Sequence, residues 1–437
     1  MNPLSLAPQP LSEAGTLLVC VLVLMVPLAI AGLALLNTGL GRSRSAAQSM
    51  LGSICILAVA AISYFAFGYA WEGYAGLPQH TVSIAGKPWG WLATGPFFLH
   101  GLPLDGSPAS LAALLQIFGV ALAALIPWGS GADRLRLRAG CLSTVLFAGL
   151  VYPLFAHWVW GGGWLAQLGA NYGLGRGFAD AAGAGTLQVL GGLTALTIVW
   201  IAGPRYGKFE RGQQPAVFPG HHIVFVLLGS MLMLAGWIGL NGAGALLFAG
   251  IAPGTIVLVA VNTVLCASGS LLTAFFVTHY RFGKPDASLS ANGWVAGLAA
   301  SSAICASVTP AAALLIGMML GGAIPLLTET LELRCGIDDP TGGISMHAGG
   351  GLWGLFALGF MGRFGVPVLG QLLAQLAGIA TLLGFVLPLA YALNWLLNKL
   401  VAFHSGGEGE RAGMDMYELG AGAYPEFVIY ADEFLPR

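Results

Sequence analysis

Two stretches place polar side chains inside long apolar segments: Gln188-Val189-Leu190-Gly191-Gly192-Leu193 and His347-Ala348-Gly349-Gly350-Gly351-Leu352. A neutral imidazole donates from one ring nitrogen and accepts at the other, and it can take up a proton. An amide donates and accepts but takes up no proton. An ionisable side chain at membrane depth is a functional-site candidate by default. Together the two groups suit a small solute that both gives and accepts hydrogen bonds. The alternative for each is a bond that only locks helices together. Asp180 is the one carboxylate at the start of an apolar span on its side of the chain. It reads as a helix N-cap, which could also shape a vestibule. Trp158, Trp160 and Trp164 flank Gly161-Gly162-Gly163. They form either an interfacial aromatic belt or a site where one indole faces a cation. His221 and His222 are adjacent, so they point to different helix faces and chelate poorly. No nucleophile–base pair, phosphate loop or metal-ligand spacing is present, so the reading is neither an enzyme nor a cofactor protein.

These residues must be positioned by membrane helices. Hydrophobic residues make up 57% of the chain and charged residues 8%, against roughly 25% charged in a soluble domain. Apolar runs reach about 20 residues, enough to span the hydrocarbon core. Lipid leaves backbone groups to satisfy themselves, so these runs are helices. The 66 glycines fit close packing through small residues. The six cysteines read as packing residues without zinc-like spacing. The net charge of −1 and the lack of a basic patch give no sign of nucleic-acid binding. Met1 to Gly15 carries no Lys or Arg, unlike the start of a secretory signal.

The pattern predicts an all-α polytopic fold with eleven spans, near 16–40, 49–71, 108–127, 139–160, 181–203, 221–242, 253–279, 288–306, 310–330, 345–362 and 366–402. Segment 72–107 reads as a polar, Gly/Pro-rich loop. With eleven spans, 14 of the 17 basic residues fall on one side, among them Arg134, Arg205, Arg211 and Arg437. Lys87, Arg176 and Arg363 fall on the other. The positive-inside rule then puts the N-terminus outside and the C-terminus in the cytoplasm. Five spans separate Gln188 from His347, and an odd offset reverses the helix. The chain therefore divides into a membrane domain, 1–403, and a cytoplasmic tail, 404–437. The membrane domain reads as two inverted five-helix repeats, about 16–203 and 221–362, plus an extra helix, 366–402. Inverted repeats commonly place a substrate path near the midplane.

Several segments carry a resemblance. Ala132-Asp133-Arg134, Ala156 through Leu165, Gly236-Trp237-Ile238-Gly239-Leu240-Asn241-Gly242, Val308-Thr309-Pro310, Asp338-Asp339-Pro340 and the tail from Gly413 to Tyr424 resemble the ammonium transporter family (Amt/Mep/Rh). The resemblance runs over nearly the whole chain. It implies a homotrimer in the cell membrane, each subunit passing ammonium inward as NH3 or as NH3 plus H+. It implies that Trp160 recruits ammonium, that Asp180 is the structural aspartate and that His347 is the second pore histidine. Trp237, Asn241 and the neighbouring pore positions follow from the same motif. It also implies a regulatory tail, with Asp415, Gly420 and Tyr424 matching, open to a PII-type regulator.

The departures are specific. Gln188 stands where the family has its first pore histidine, Leu240 at the second gate phenylalanine and Gly244 at the outer-site serine. Phe118 is the nearest candidate for the first gate ring, about one position out of register. These changes weaken cation–π and hydrogen-bond help, and any proton hop between two imidazoles. Two functions therefore stand: ammonium transport, and a transport-poor ammonium sensor that signals through its tail.

Overall fold

The computed structural model describes residues 11–74, 78–210 and 214–424. Arg211, Arg437 and the tail beyond Tyr424 lie outside the described residues. The long helices among the described residues are α1 (Glu13–Leu40), α2 (Ser43–Glu72), α3 (Pro108–Ser130), α4 (Leu137–Val159), α5 (Ala184–Ala202), α6 (Ile223–Leu247), α7 (Pro253–Phe282), α8 (Ala287–Ile304), α9 (Pro310–Leu333), α10 (Ile344–Met361) and α11 (Val368–Leu400). All but α8 are long and apolar enough to cross a membrane. α8 is 18 residues long and largely buried among its neighbours. Its serines and Asn292 lower its hydropathy, which only a surrounding of protein tolerates.

Local signals start the helices where the chain needs them. Ser12 accepts from the Gly15 N–H, Asp286 from Leu289 and Thr309 from Ala312. Each satisfies an orphan donor of the first turn. Glycines then let helix axes close up. A Cβ at Gly32 would lie 2.5 Å from the Gly229 carbonyl oxygen, and one at Gly229 would lie 2.4 Å from that of Gly32. So α1 and α6 touch backbone to backbone, as small-residue packing in lipid requires. α3 and α5 are mostly buried, whereas α2, α7, α9 and α11 carry exposed apolar residues such as Ile62, Phe276, Met319 and Leu396 on their rims.

The segment expected to be an irregular loop contains a hairpin instead, β1 (Gln79–Ile84) with β2 (Lys87–Ala93). The turn is Ala85-Gly86, both at positive φ (50° and 73°). That conformation matches the twist of a tight hairpin. The alternation of the strands is short and mixed with Gly and Pro, so it is weak in the sequence.

Candidate functional site

Gln188 and His347 both lie in π-helical segments at the starts of α5 and α10, Ala184–Val189 and Ile344–Gly349. Each follows an aspartate by eight residues. Asp180 accepts from the backbone N–H groups of Gly183, Ala184, Gly185 and Thr186 and from the Thr186 hydroxyl. Asp339 accepts from the Ile344 N–H and the Thr341 hydroxyl. The carboxylates thus hold both wide first turns, and α5 begins at Ala184 rather than 181 because Gly183 sits at φ 98°. Isolated π turns frequently mark functional positions.

The glycines after each polar residue bring α5 and α10 together. A Cβ at Gly192 would lie 2.5 Å from the Ala348 amide nitrogen, and one at Gly351 would lie 2.5 Å from the Ala184 carbonyl oxygen. At that approach His347 Nδ1 stands 2.7 Å from Gln188 Oε1. An amide oxygen only accepts, so Nδ1 carries the proton and donates. His347 Nε2 is left as an acceptor and Gln188 Nε2 as a donor. Both atoms are buried, and no protein atom among the described residues bonds them.

α6 and α8 form the adjoining wall. The Trp237 ring lies 6.4 Å from the His347 ring, tilted by 30°. Its Nε1 donates to Ser302 Oγ. Asn241 donates to Thr263 and Ser301 and accepts from Ser302. Every polar atom of Asn241 is therefore engaged inside the protein. Leu240 is fully packed in the core. A Cβ at Gly244 would lie 2.9 Å from the Ala181 carbonyl oxygen, so a larger residue there would push the Asp180 turn away.

A cavity of about 550 Å³ opens above this region. Trp160, Asp180, Phe178, Phe248, Arg176 and Phe364 are among its lining residues. Trp160 Nε1 donates to the Asp180 carbonyl oxygen, and its ring stacks on Phe248 with centroids 4.3 Å apart. Trp158 and Trp164 serve the scaffold. Trp158 donates to the Trp91 carbonyl, and Trp164 stacks on Trp89 of the hairpin at 4.4 Å. Phe118 is half-buried on α3 and is not part of the cavity wall. The ring on Trp160 is Phe248, which the sequence reading missed. Its signal is spacing: Asn241, Gly244 and Phe248, the residue that ends α6, follow one another at helical intervals of three and four.

The tail meets the opposite end of the same helices. Asp415 accepts from the Ala47 and Gln48 N–H groups at the start of α2. Glu418, also missed from sequence, accepts from the Leu137 N–H at the start of α4. Gly420 takes a left-handed φ of 71° where the tail turns. Tyr424 OH lies 3.1 Å from His221 Nε2, and His222 caps α6. Beside the tail, Arg205 pairs with Asp133 at 3.0 Å and Asp338 at 2.8 Å, all nearly fully buried. Among the described residues no group of three or more His, Cys, Asp or Glu could hold a metal.

The chain matches the profile of the Ammonium Transporter Family over residues 16–424. It is 34% identical to the ammonium transporter Amt2 of Archaeoglobus fulgidus over 426 residues, covering 92% of this chain and 86% of that one. It is 30% identical to the ammonium transporter of Bacillus subtilis, covering 92% and 96%. Among solved structures, the protein named Sensor Amt Protein superposes with a TM-score of 0.82 at 25% identity, covering 92% and 97%. Mep2 of Candida albicans shares the fold with a TM-score of 0.76 at 24% identity, covering 89% and 85%. With a helical bundle rich in membrane-length apolar spans and a family match over nearly its whole length, the chain is a multi-pass membrane protein that belongs to the ammonium transporter family.

Proposed function

We propose that the protein carries ammonium across the cell membrane as NH3, passing Gln188 and His347. The observation that carries this reading is the unpartnered polar pair: one buried acceptor at His347 Nε2 and one buried donor at Gln188 Nε2. NH3 offers three donors and one lone pair, so it can engage both. NH4+ has no lone pair and cannot accept from the amide. Ammonium is captured in the cavity by Trp160 and Phe248 and gives its proton to water at the open mouth before the apolar passage. K+ and Na+ have no proton to leave and are excluded by dehydration. The eleven-span topology, N-terminus outside, fits the basic residues near the tail. The matched Asp–π turns, each eight residues before its polar residue, support two inverted repeats plus one extra helix. A homotrimer, and a PII-type regulator acting through Asp415, Gly420 and Tyr424, complete the reading.

The second reading is a sensor that binds ammonium with little passage. It is supported by the tail's hold on α2, α4 and α6, by Gln188 interrupting an imidazole relay, and by the likeness to the sensor Amt structure. Proteoliposomes separate the two. Transport predicts an internal pH rise on an ammonium pulse, lost in His347→Ala. A sensor gives no pH rise beyond that of protein-free liposomes and no current, yet still binds ammonium in calorimetry.

A further inference from the structure

Of the three basic residues expected on the side away from the tail, one lines the cavity and a second adjoins its wall. Arg176 lines it, and its exposed side chain donates through Nε to the Phe364 carbonyl oxygen and lies over the Phe364 ring. Arg363 is exposed and precedes Phe364 of the wall, with its N–H on the Ser307 carbonyl. The carboxylate of the wall, Asp180, is occupied by four N–H groups and a hydroxyl, so it offers a cation little. Two carboxylates, Glu13 beside Leu11 and Ser12 of the wall and Asp105 three residues before Pro108 of the wall, are exposed on neighbouring segments, whereas Arg176 is the charged side chain of the wall itself besides Asp180. The loop bearing Arg176 is fixed rather than free: Gln371 accepts from the Arg176 N–H and donates to the Gly177 carbonyl.

We infer that Arg176, seconded by Arg363, is a specificity-determining residue that holds a positive field over the mouth and lowers the capture of cationic ammonium. The inference rests on the transport reading. A sphere of the cavity's volume, about 550 Å³, would be roughly 10 Å across, about one Debye length at 0.1 M salt. One charge at that range changes the local concentration of a monovalent cation by roughly two- to tenfold. The chain then works as a low-affinity entry, admitting ammonium when it is abundant.

The test uses right-side-out vesicles from a host without ammonium transporters of its own, with methylammonium uptake measured at low and high ionic strength. Arg176→Gln should lower the half-saturating concentration by roughly two- to tenfold at low salt, with the difference gone at about 0.5 M salt. Arg176→Lys should behave as the parent, and Arg363→Gln should shift in the same direction as Arg176→Gln. Equal half-saturation in the parent and both Gln variants, or equal shifts in Arg176→Gln and Arg176→Lys, overturns the inference while leaving transport intact. If Arg176→Gln fails to fold, the salt dependence of the parent and Arg363→Gln decide alone: a parent half-saturation that does not fall as salt rises overturns it. A parent without uptake overturns the transport reading and this inference with it.

Discussion

His347 Nδ1 donates to Gln188 Oε1 across 2.7 Å and 159 residues of sequence. The bond joins the starts of α5 and α10 and fixes the imidazole tautomer. It turns the acceptor nitrogen of His347 away from the bond, and the free amide donor of Gln188 likewise.

Breaking that bond from either side should separate passage from stability. Gln188→Leu strands the Nδ1 donor and should cost about 1–3 kcal/mol. Gln188→His restores a ring that can accept from Nδ1 and can also hold a proton. An ammonium-evoked current that is larger in Gln188→His than in the parent, measured on solid-supported membranes, is the expected outcome. Equal currents would mean that the amide does not limit proton movement.

The glycine contacts give a sharper structural prediction. Gly351→Val would drive a branched side chain into the Ala184 carbonyl, where even a Cβ would be 2.5 Å away. Overpacking of this kind costs about 1–3 kcal/mol. Thermal unfolding in detergent should fall accordingly, and uptake should fall further than stability because α5 and α10 move apart. The exposed Gly384, with nothing within 4 Å of its Cβ, should accept alanine without loss.

The tail should detach when its caps are removed. Asp415→Ala frees the N–H groups of Ala47 and Gln48, and losing such a cap costs about 0.5–2 kcal/mol. Hydrogen exchange should rise in residues 413–424 and at the start of α2, but not around His347. Unchanged protection in that segment would show that Glu418 and Tyr424 hold the tail unaided.

Acid should weaken the connection between α9 and α10. Burial alone would raise the Asp338 carboxyl, but the hydrogen bonds and charge of Arg205, with Arg134 behind it, outweigh burial and hold it at about 2. A carboxylate held below its ordinary 3.8 contributes stability that is complete above that value. This contribution is lost as pH falls from about 4 towards about 2 and amounts to on the order of 2 kcal/mol. Melting temperature against pH should show that slope, and Asp338→Asn should flatten it. The same variant leaves Arg205 and Arg134 short of a buried partner, so it should be less stable at neutral pH as well.

The membrane class, the helix positions and the two polar stretches were legible in the amino-acid order alone. Length and hydropathy act locally, and lipid permits little besides helix for such runs. Gln188 and His347 stood out because a polar group in apolar surroundings is conspicuous, whereas Trp160 and Asp180 were singled out by the family resemblance. What only the tertiary structure decided are matches between distant surfaces. Phe248 stacks on Trp160 because the end of α6 meets the end of α4. Glu418 caps α4 because the tail folds back across the helix ends. Arg205, Asp133 and Asp338 neutralise one another from three separate connections. The hairpin at 79–93 forms because Trp89 and Trp91 find Trp164 and Trp158. A side chain's composition announces what it could bond; which partner it meets depends on how close the helices come, and in this chain paired glycines set that distance.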